Sequence, residues 1–353
     1  EMLPASYGSR EKGRATKGAA YALKSRVELY DKRYEDVIKS CAEVYKLGYE
    51  LVDGTTPEKY RSIWWTTNKD NKEIIFDVQY KSPDVYNNMM VCNMVTYIND
   101  KYGDRGWGGL GPTQELIDAF EMADGTPATQ YSQAPADQVF DINTCGIYEG
   151  REPRFYANIV FHGSQIFFNA DKGAVTVDRY LMDTPDKGDG SLTGYNVWKW
   201  IDYDNYNYPY AGAGSPDFST NWIILRYAEI YLNDAEARLE TGDVEGARKA
   251  VNMIRQRVGL PDLTESDPEK LRELIRKERR IEFAFEEQRF YDVRRWKIGP
   301  ETQTTLHGVR FVSPTEFKVT KTDIRTWNDR LYLTPVPHDE IVRSSVLKQN
   351  PGY

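Results

Sequence analysis

Histidine is scarce: His162, His307 and His338 are the only three in 353 residues, and no HExxH pair exists. A zinc hydrolase site and a Ser-His-Asp triad both need imidazole at defined positions, so neither is expected. No GxxxxGK[ST] phosphate loop is present, and nucleotide chemistry is not expected. Basic charge is also in deficit. There are 46 Lys and Arg against 54 Asp and Glu, a net charge of -8. The pI is near 5.2. A phosphate backbone wants a basic face, so nucleic acid is not a partner. The two signs of charge are interspersed, with no basic block to act as a membrane patch. Mean hydropathy is -0.66. No apolar run approaches the roughly 18 residues that a membrane span needs.

Cysteine is sparse as well. Cys41, Cys92 and Cys145 make an odd number with no CxxC, so a disulfide framework is not expected. An oxidising compartment stays compatible with this. Cys41 falls on the apolar stripe of a predicted helix and reads as a small buried hydrophobe. The opening "EMLPASYGSREKGRATKG" lacks the charged-then-apolar order of a signal peptide and reads as part of an ongoing chain. "LTPVPHDEIVRSSVLKQNPGY" reads as a natural terminus.

What is abundant is tyrosine. There are 25 Tyr and 8 Trp against 13 Phe. Tyr and Trp join an apolar face to a hydrogen-bonding edge, which suits exposed binding surfaces. Helical periodicity is strong near both ends. Ala20, Leu23, Val27 and Tyr30 recur on one predicted helix face, and Val37, Ile38, Cys41, Val44 and Tyr45 on the next. The short "DKR" link makes these an antiparallel pair, and Gly48 closes the second helix. The plan repeats at Arg226 to Pro261. Ala228, Tyr231, Leu232, Ala235 and Leu239 form one stripe, Gly242 a break, and Val244, Ala247, Val251, Ile254 and Val258 another. Ala20 and Ala235 are expected to let helix backbones approach closely. Two such hairpins resemble tetratricopeptide units. A further helix follows, capped by Asp267 with Pro268 in its first turn, and "FYDVRRW" continues as a second short helix.

The middle is different. From about Asp53 to Asn221 the chain is rich in Gly, Pro, Asn and Tyr. "EIIFDVQY" reads as a strand and "TQELIDAFEMADG" as a short helix capped by Thr113; the rest reads as long ordered loops. Glu278, Glu282 and Glu286 recur at i, i+4, a spacing that could place a glycosidase carboxylate pair. The neighbouring Arg276, Arg279, Arg280, Arg289, Arg294 and Arg295 favour a structural ion-pair network instead. "YINDKYGDRGWGGLGPT" is the leading binding candidate. Its Tyr97, Tyr102 and Trp107 stand among Asn99, Asp100 and Arg105, and aromatic faces beside hydrogen-bonding groups suit a sugar. Tyr206, Tyr208 and Tyr210 of "YDNYNYPYAGAGSPDF" and Tyr86 are secondary candidates. Trp64 and Trp65 come third, with at least one of them expected in the core. Asp and Asn in "YINDKYGD" lack EF-hand spacing, and no metal or cofactor is assigned.

Several segments together resemble the SusD/RagB family of outer-membrane nutrient-binding lipoproteins. In family order they are "GRATKGAAYALKSRVELY", "NKEIIFDVQY", "GPTQELIDAFEMADG", "REPRF" with Glu152 in place of Asp, "RYAEIYLNDAEA", "NMIRQRVGLP", "ERRIEFAFEEQRFYDVRRW" and "QNPGY". The resemblance implies a mostly α fold: one SusD-like tetratricopeptide scaffold over 1–353, lacking its N-terminal part. Within it, 14–52 would be a helix pair, 53–220 a loop-rich ligand-binding region and 221–353 the C-terminal helical region. It further implies a lipid-anchored protein at the outer-membrane cell surface, the anchor lying outside this chain. Such a protein captures a nutrient, most often a glycan, and passes it to a SusC-like TonB-dependent transporter, without a catalytic role. Peptide capture within the same family, docking of another protein, and a glycosidase using a Glu pair are the rival readings.

Overall fold

The computed structural model describes residues 3–81, 84–85, 93, 108–169, 173–182, 191–202, 219–302 and 304–353. Its frame is six helices longer than two turns among these residues: α1 (Lys17–Tyr30), α2 (Tyr34–Tyr45), α3 (Tyr227–Glu240), α4 (Val244–Arg257), α5 (Pro268–Glu282) and α6 (Gln288–Trp296). The fold is mostly helical, as expected, with short strands between. α1 packs on α2, α2 on α3 and α3 on α4, so the two predicted hairpins lie side by side.

The helix starts are set by side chains that accept otherwise unpaired backbone N–H groups. Thr16 caps α1 through Ala19 N at 3.2 Å, and Asp243 caps α4 through Gly246 N at 2.9 Å. Asp267 caps α5 through Glu269 N at 2.9 Å and Lys270 N at 3.2 Å, with Pro268 following. Each cap is worth roughly 0.5–2 kcal/mol. Thr113 does precede a short helix, Gln114–Ile117, but its hydroxyl makes no cap bond.

The predicted stripes of α2, α3 and α4 are buried: Val37, Cys41 and Val44, then Ala228, Leu232 and Ala235, then Ala247, Val251 and Ile254. The stripe assigned to α1 is wrong. Leu23 and Val27 are 52% and 54% exposed, and Ala20 is exposed too. The buried face holds Ala19, Ala22, Ser25, Glu28 and Leu29. It is polar because its polar groups are satisfied. Ser25 donates to the Ala22 carbonyl at 2.8 Å, and Glu28 accepts from Ser40 at 2.6 Å. Apolar periodicity cannot register a stripe of this kind.

The middle region holds more regular structure than the predicted loops. β1 (Ile74–Val78) is the expected strand, and its partner is β7 (Trp222–Arg226), antiparallel, with Ile74 opposite Arg226. β2 (Val139–Asp141) extends a hairpin of β8 (Thr305–Phe311) and β9 (Glu316–Ile324), in the order β2-β9-β8. β3 (Ile159–Val160) pairs with β6 (Asn196–Val197), and β4 (Gln165–Asn169) with β5 (Gly173–Thr176). One close crossing requires glycine. Val309 N donates to the Thr193 carbonyl at 2.9 Å, and a Cβ on Gly308 would lie 2.5 Å from Thr193 Cα. A side chain there would push the two backbones apart.

Candidate functional site

The carboxylate series lies at the centre of a buried charge lattice: Glu278 and Glu282 on α5, and Glu286 in the turn beyond its end, so the three do not share one helix. Glu282 accepts from Arg226 Nη1 at 2.6 Å and Arg154 Nη1 at 3.0 Å, and also from Arg257 Nη2. Glu278 binds Arg154 at 2.5 Å and Arg255 at 3.1 Å. Glu286 binds Arg226 Nε at 2.6 Å and Lys199 Nζ at 2.6 Å. The ion-pair reading therefore holds, but with different partners. Arg154, Arg226, Arg255 and Arg257 come from other elements. Of the helix's own arginines, Arg279 turns to Asp292 at 2.9 Å, and Arg276 to Glu273 at 3.1 Å. Residues three or four apart share a helix face, yet the series faces the core while Arg276 faces outward.

The electrostatics follow. Burial pushes the Glu282 carboxyl up, but Arg257, Arg226, Arg154 and Lys199 together hold it well below the usual carboxylate range. Proton donation at neutral pH needs the opposite shift. Burial lowers the Lys199 ammonium to about 8, against the pull of Glu286. Lys199 Nζ also lies 5.0 Å from the Trp64 ring centre, a cation–π contact that anchors the buried Trp64. Trp64 is core, as expected of one of the pair, and Trp65 is half-buried. The "REPRF" segment feeds the same lattice. Arg154 Nε donates to Glu152 at 2.6 Å, and both side chains are fully buried.

Tyr97, Asn99, Asp100, Tyr102, Arg105 and Trp107 lie outside the described residues, as do Tyr86, Tyr206, Tyr208 and Tyr210. The structure does show what flanks them. Gly111 packs on Thr193, where a Cβ would meet Thr193 Oγ1 at 2.7 Å. Asp202 accepts from Thr66 N at 2.8 Å and Oγ1 at 2.9 Å, and Asn221 Nδ2 donates to Asp77 at 2.6 Å. Both flanks of 203–218 are thus pinned to the body. The letters GWGGLG at 106–111 spell GxGxxG. A dinucleotide loop opens a long helix, whereas Gln114–Ile117 has four residues.

Two aromatic surfaces escaped the sequence reading. Tyr45, Tyr49, Tyr227 and Tyr231 form a cluster beside α4, with Tyr45 and Tyr231 ring centres 5.2 Å apart. Adjoining cavities of about 410 and 560 Å³ share Tyr227, Tyr231 and Met253. A third cavity, about 610 Å³, is lined by Tyr148, Tyr156, Phe161 and His162 with Asn143 and Glu149. The signal was available in "YEGREPRFYANIVFH", where aromatics crowd between polar residues. Among the described residues no cluster of three or more His, Cys, Asp or Glu could hold a metal ion. None of their helices is long and apolar enough to cross a membrane.

Known proteins agree with this architecture. A SusD-like protein from Bacteroides fragilis NCTC 9343 matches with a TM-score of 0.95 and 99% identity, over 100% of this chain and 68% of that one. A SusD-like carbohydrate-binding protein from the same strain matches with a TM-score of 0.77 and 25% identity, over 96% of this chain and 66% of that one. The SusD-like protein P2 of Formosa agariphila is 38% identical over 155 residues, 40% of this chain. The chain spans 28% of that relative's length. The profile of the SusD family matches residues 72–353, most of the sequence, and the chain belongs to that family.

Proposed function

We propose that this chain is the glycan-capturing body of a cell-surface protein, binding an oligo- or polysaccharide for delivery to a SusC-like TonB-dependent transporter. The observation that carries the reading is the family match over 72–353, joined by a carbohydrate-binding relative of the same fold. The charge lattice supports it from the chemical side. Glu278 and Glu282 are occupied by four arginines, which suits a rigid platform and takes this carboxylate pair out of acid–base work. Tyr97, Tyr102 and Trp107, aided by Asn99, Asp100 and Arg105, are the proposed stacking and hydrogen-bonding residues. Tyr86, Tyr206, Tyr208 and Tyr210 are the secondary set. A lipid anchor outside this chain would hold the protein at the outer membrane.

Electrophoresis through gels loaded with single polysaccharides tests this. Retarded migration in at least one gel, reduced by Trp107→Ala, is expected. Unretarded migration through a broad panel, neutral and acidic, would refute glycan capture and leave peptide capture as the family alternative.

A further inference from the structure

A cavity of about 660 Å³ opens between α5, α6, the turn at Gly111–Leu116 and Leu306 of β8. Ligand pockets commonly fall in this size range. Its lining is basic on a chain that is acidic overall. Arg276, Lys277, Arg280, Arg289 and Arg325 all contribute, against Glu115, Glu273 and Glu301.

Most of these charges are already matched. Arg276 holds Glu273 at 3.1 Å, Lys277 holds Glu121 at 2.8 Å and Arg325 holds Asp323 at 3.0 Å. Glu115 is taken by His307, through ring Nδ1 at 2.6 Å and backbone N at 3.1 Å. Two cations remain. Arg280 donates to the Glu115 backbone carbonyl at 3.1 Å and has no carboxylate partner among the described residues. Arg289 makes no hydrogen bond or ion pair among them. Both side chains are half-buried. The contrast with the adjoining lattice is direct, since Arg154, Arg226, Arg255 and Arg257 all have carboxylates there.

Two guanidinium groups without an ion pair in one half-buried cavity repel each other, and solvent compensates them only in part. Burial and the charge of Arg289 bring Arg280 down to about 10, against the weaker pull of Glu115 and Asp118. Burial lowers Arg289 as well, Asp292 opposes the shift, and Arg276 adds to the repulsion. An oxyanion entering the cavity would remove both penalties. Guanidinium forks match the planar geometry of a carboxylate and the edge of a sulfate. Phe285, Val293, Ile298 and Leu306 supply an apolar wall beside them, suited to the C–H face of a sugar ring.

We infer that this cavity receives the carboxylate or sulfate group of an acidic saccharide. The inference rests on the glycan-binding reading above and names its substrate class.

Isothermal titration with three probes tests it: trigalacturonate, its fully methyl-esterified form and a sulfated carrageenan oligomer. At least one acidic probe should bind saturably, with the neutral ester at least tenfold weaker than the free acid if the uronate is the one bound. Arg280→Gln and Arg289→Gln should each weaken acidic binding about tenfold or more. Arg289→Lys, which keeps the charge but loses the fork, should fall between. The unliganded variants should melt no lower than wild type, because they relieve repulsion. A purely structural role for these arginines would lower the melting temperature instead. Arg343→Gln, an exposed site with a side chain 73% accessible, should bind like wild type. The inference is overturned if neither acidic probe binds, if trigalacturonate binds but its ester binds as tightly, if the arginine variants bind like wild type, or if polyglutamate alone binds. Retention in a neutral polysaccharide gel, unchanged by Arg280→Gln, would then leave the glycan reading standing. Retention by no saccharide would remove both.

Discussion

Glu282→Gln is the sharpest perturbation of the scaffold. Its carboxylate is fully buried and is shared by Arg154, Arg226 and Arg257. Gln preserves the volume and one acceptor oxygen but removes the negative charge. Breaking a buried pair by deleting one partner costs about 3–5 kcal/mol, because the other charge stays buried. Each arginine here keeps a second carboxylate: Glu152 for Arg154, Glu286 for Arg226 and Glu73 for Arg257. The loss should therefore lie near the lower end, about 3 kcal/mol. For a chain of this length each kcal/mol moves the melting temperature by about 2 °C, so a fall of about 6 °C is expected. Circular dichroism melts at pH 7 measure it. The native Glu282 pKa is held down, so its contribution is complete above the unfolded value of about 4.3. It disappears as pH falls through the lower native value. The gap between wild type and variant should hold from pH 7 to about 4.5 and shrink below that. The control is Glu269→Gln, whose side chain is 82% exposed and pairs with Arg272; it should change stability by less than about 0.5 kcal/mol. Equal melts for Glu282→Gln and wild type at pH 7 would refute the lattice argument.

Lys199→Met should remove a pH dependence of opposite origin. Burial lowers the native Lys199 pKa to about 8, below its unfolded value, so wild type should gain stability relative to the variant as pH rises from about 8 to 10.4. Urea unfolding across that range reads the difference, and parallel curves would contradict it. Ala235→Leu should overpack the fully buried contact on α3 and cost about 1–3 kcal/mol, while Ala20→Leu on the exposed face should cost less than about 0.5 kcal/mol. Equal melting temperatures for the two would undo the assignment of helix faces. Trp107→Ala and Tyr97→Ala should weaken glycan binding by about 1–3 kcal/mol by analogy with aromatic stacking, with little effect on melting. Unchanged affinity in both would move the platform to Tyr206, Tyr208 and Tyr210.

The helices that could be read were those whose buried face is apolar. Val37, Cys41 and Val44 gave α2 its face, and Asp267 with Pro268 marked the start of α5. α1 misled because its inner stripe is largely Ala, Ser and Glu, made tolerable by hydrogen bonds from Ser40 on the next helix and from Asn233, which lies far along the chain. The ion-pair character of Glu278 and Glu282 was legible from local arginine density, yet the true partners sit 23 to 128 positions away. Short strands such as β3 and β6, two residues each, carry no period at all. Arg280 and Arg289 looked like two more lattice members. Only the geometry shows that their neighbours are already taken.

One measurement bears most directly on capture without turnover. A polysaccharide that retards the protein in gels is titrated calorimetrically, and the same mixture is held for a day before its chain length is measured by chromatography. Saturable heat with unchanged chain length is the expected result. Progressive shortening of the glycan, abolished by Glu278→Gln in a variant that still folds and binds, would contradict the account.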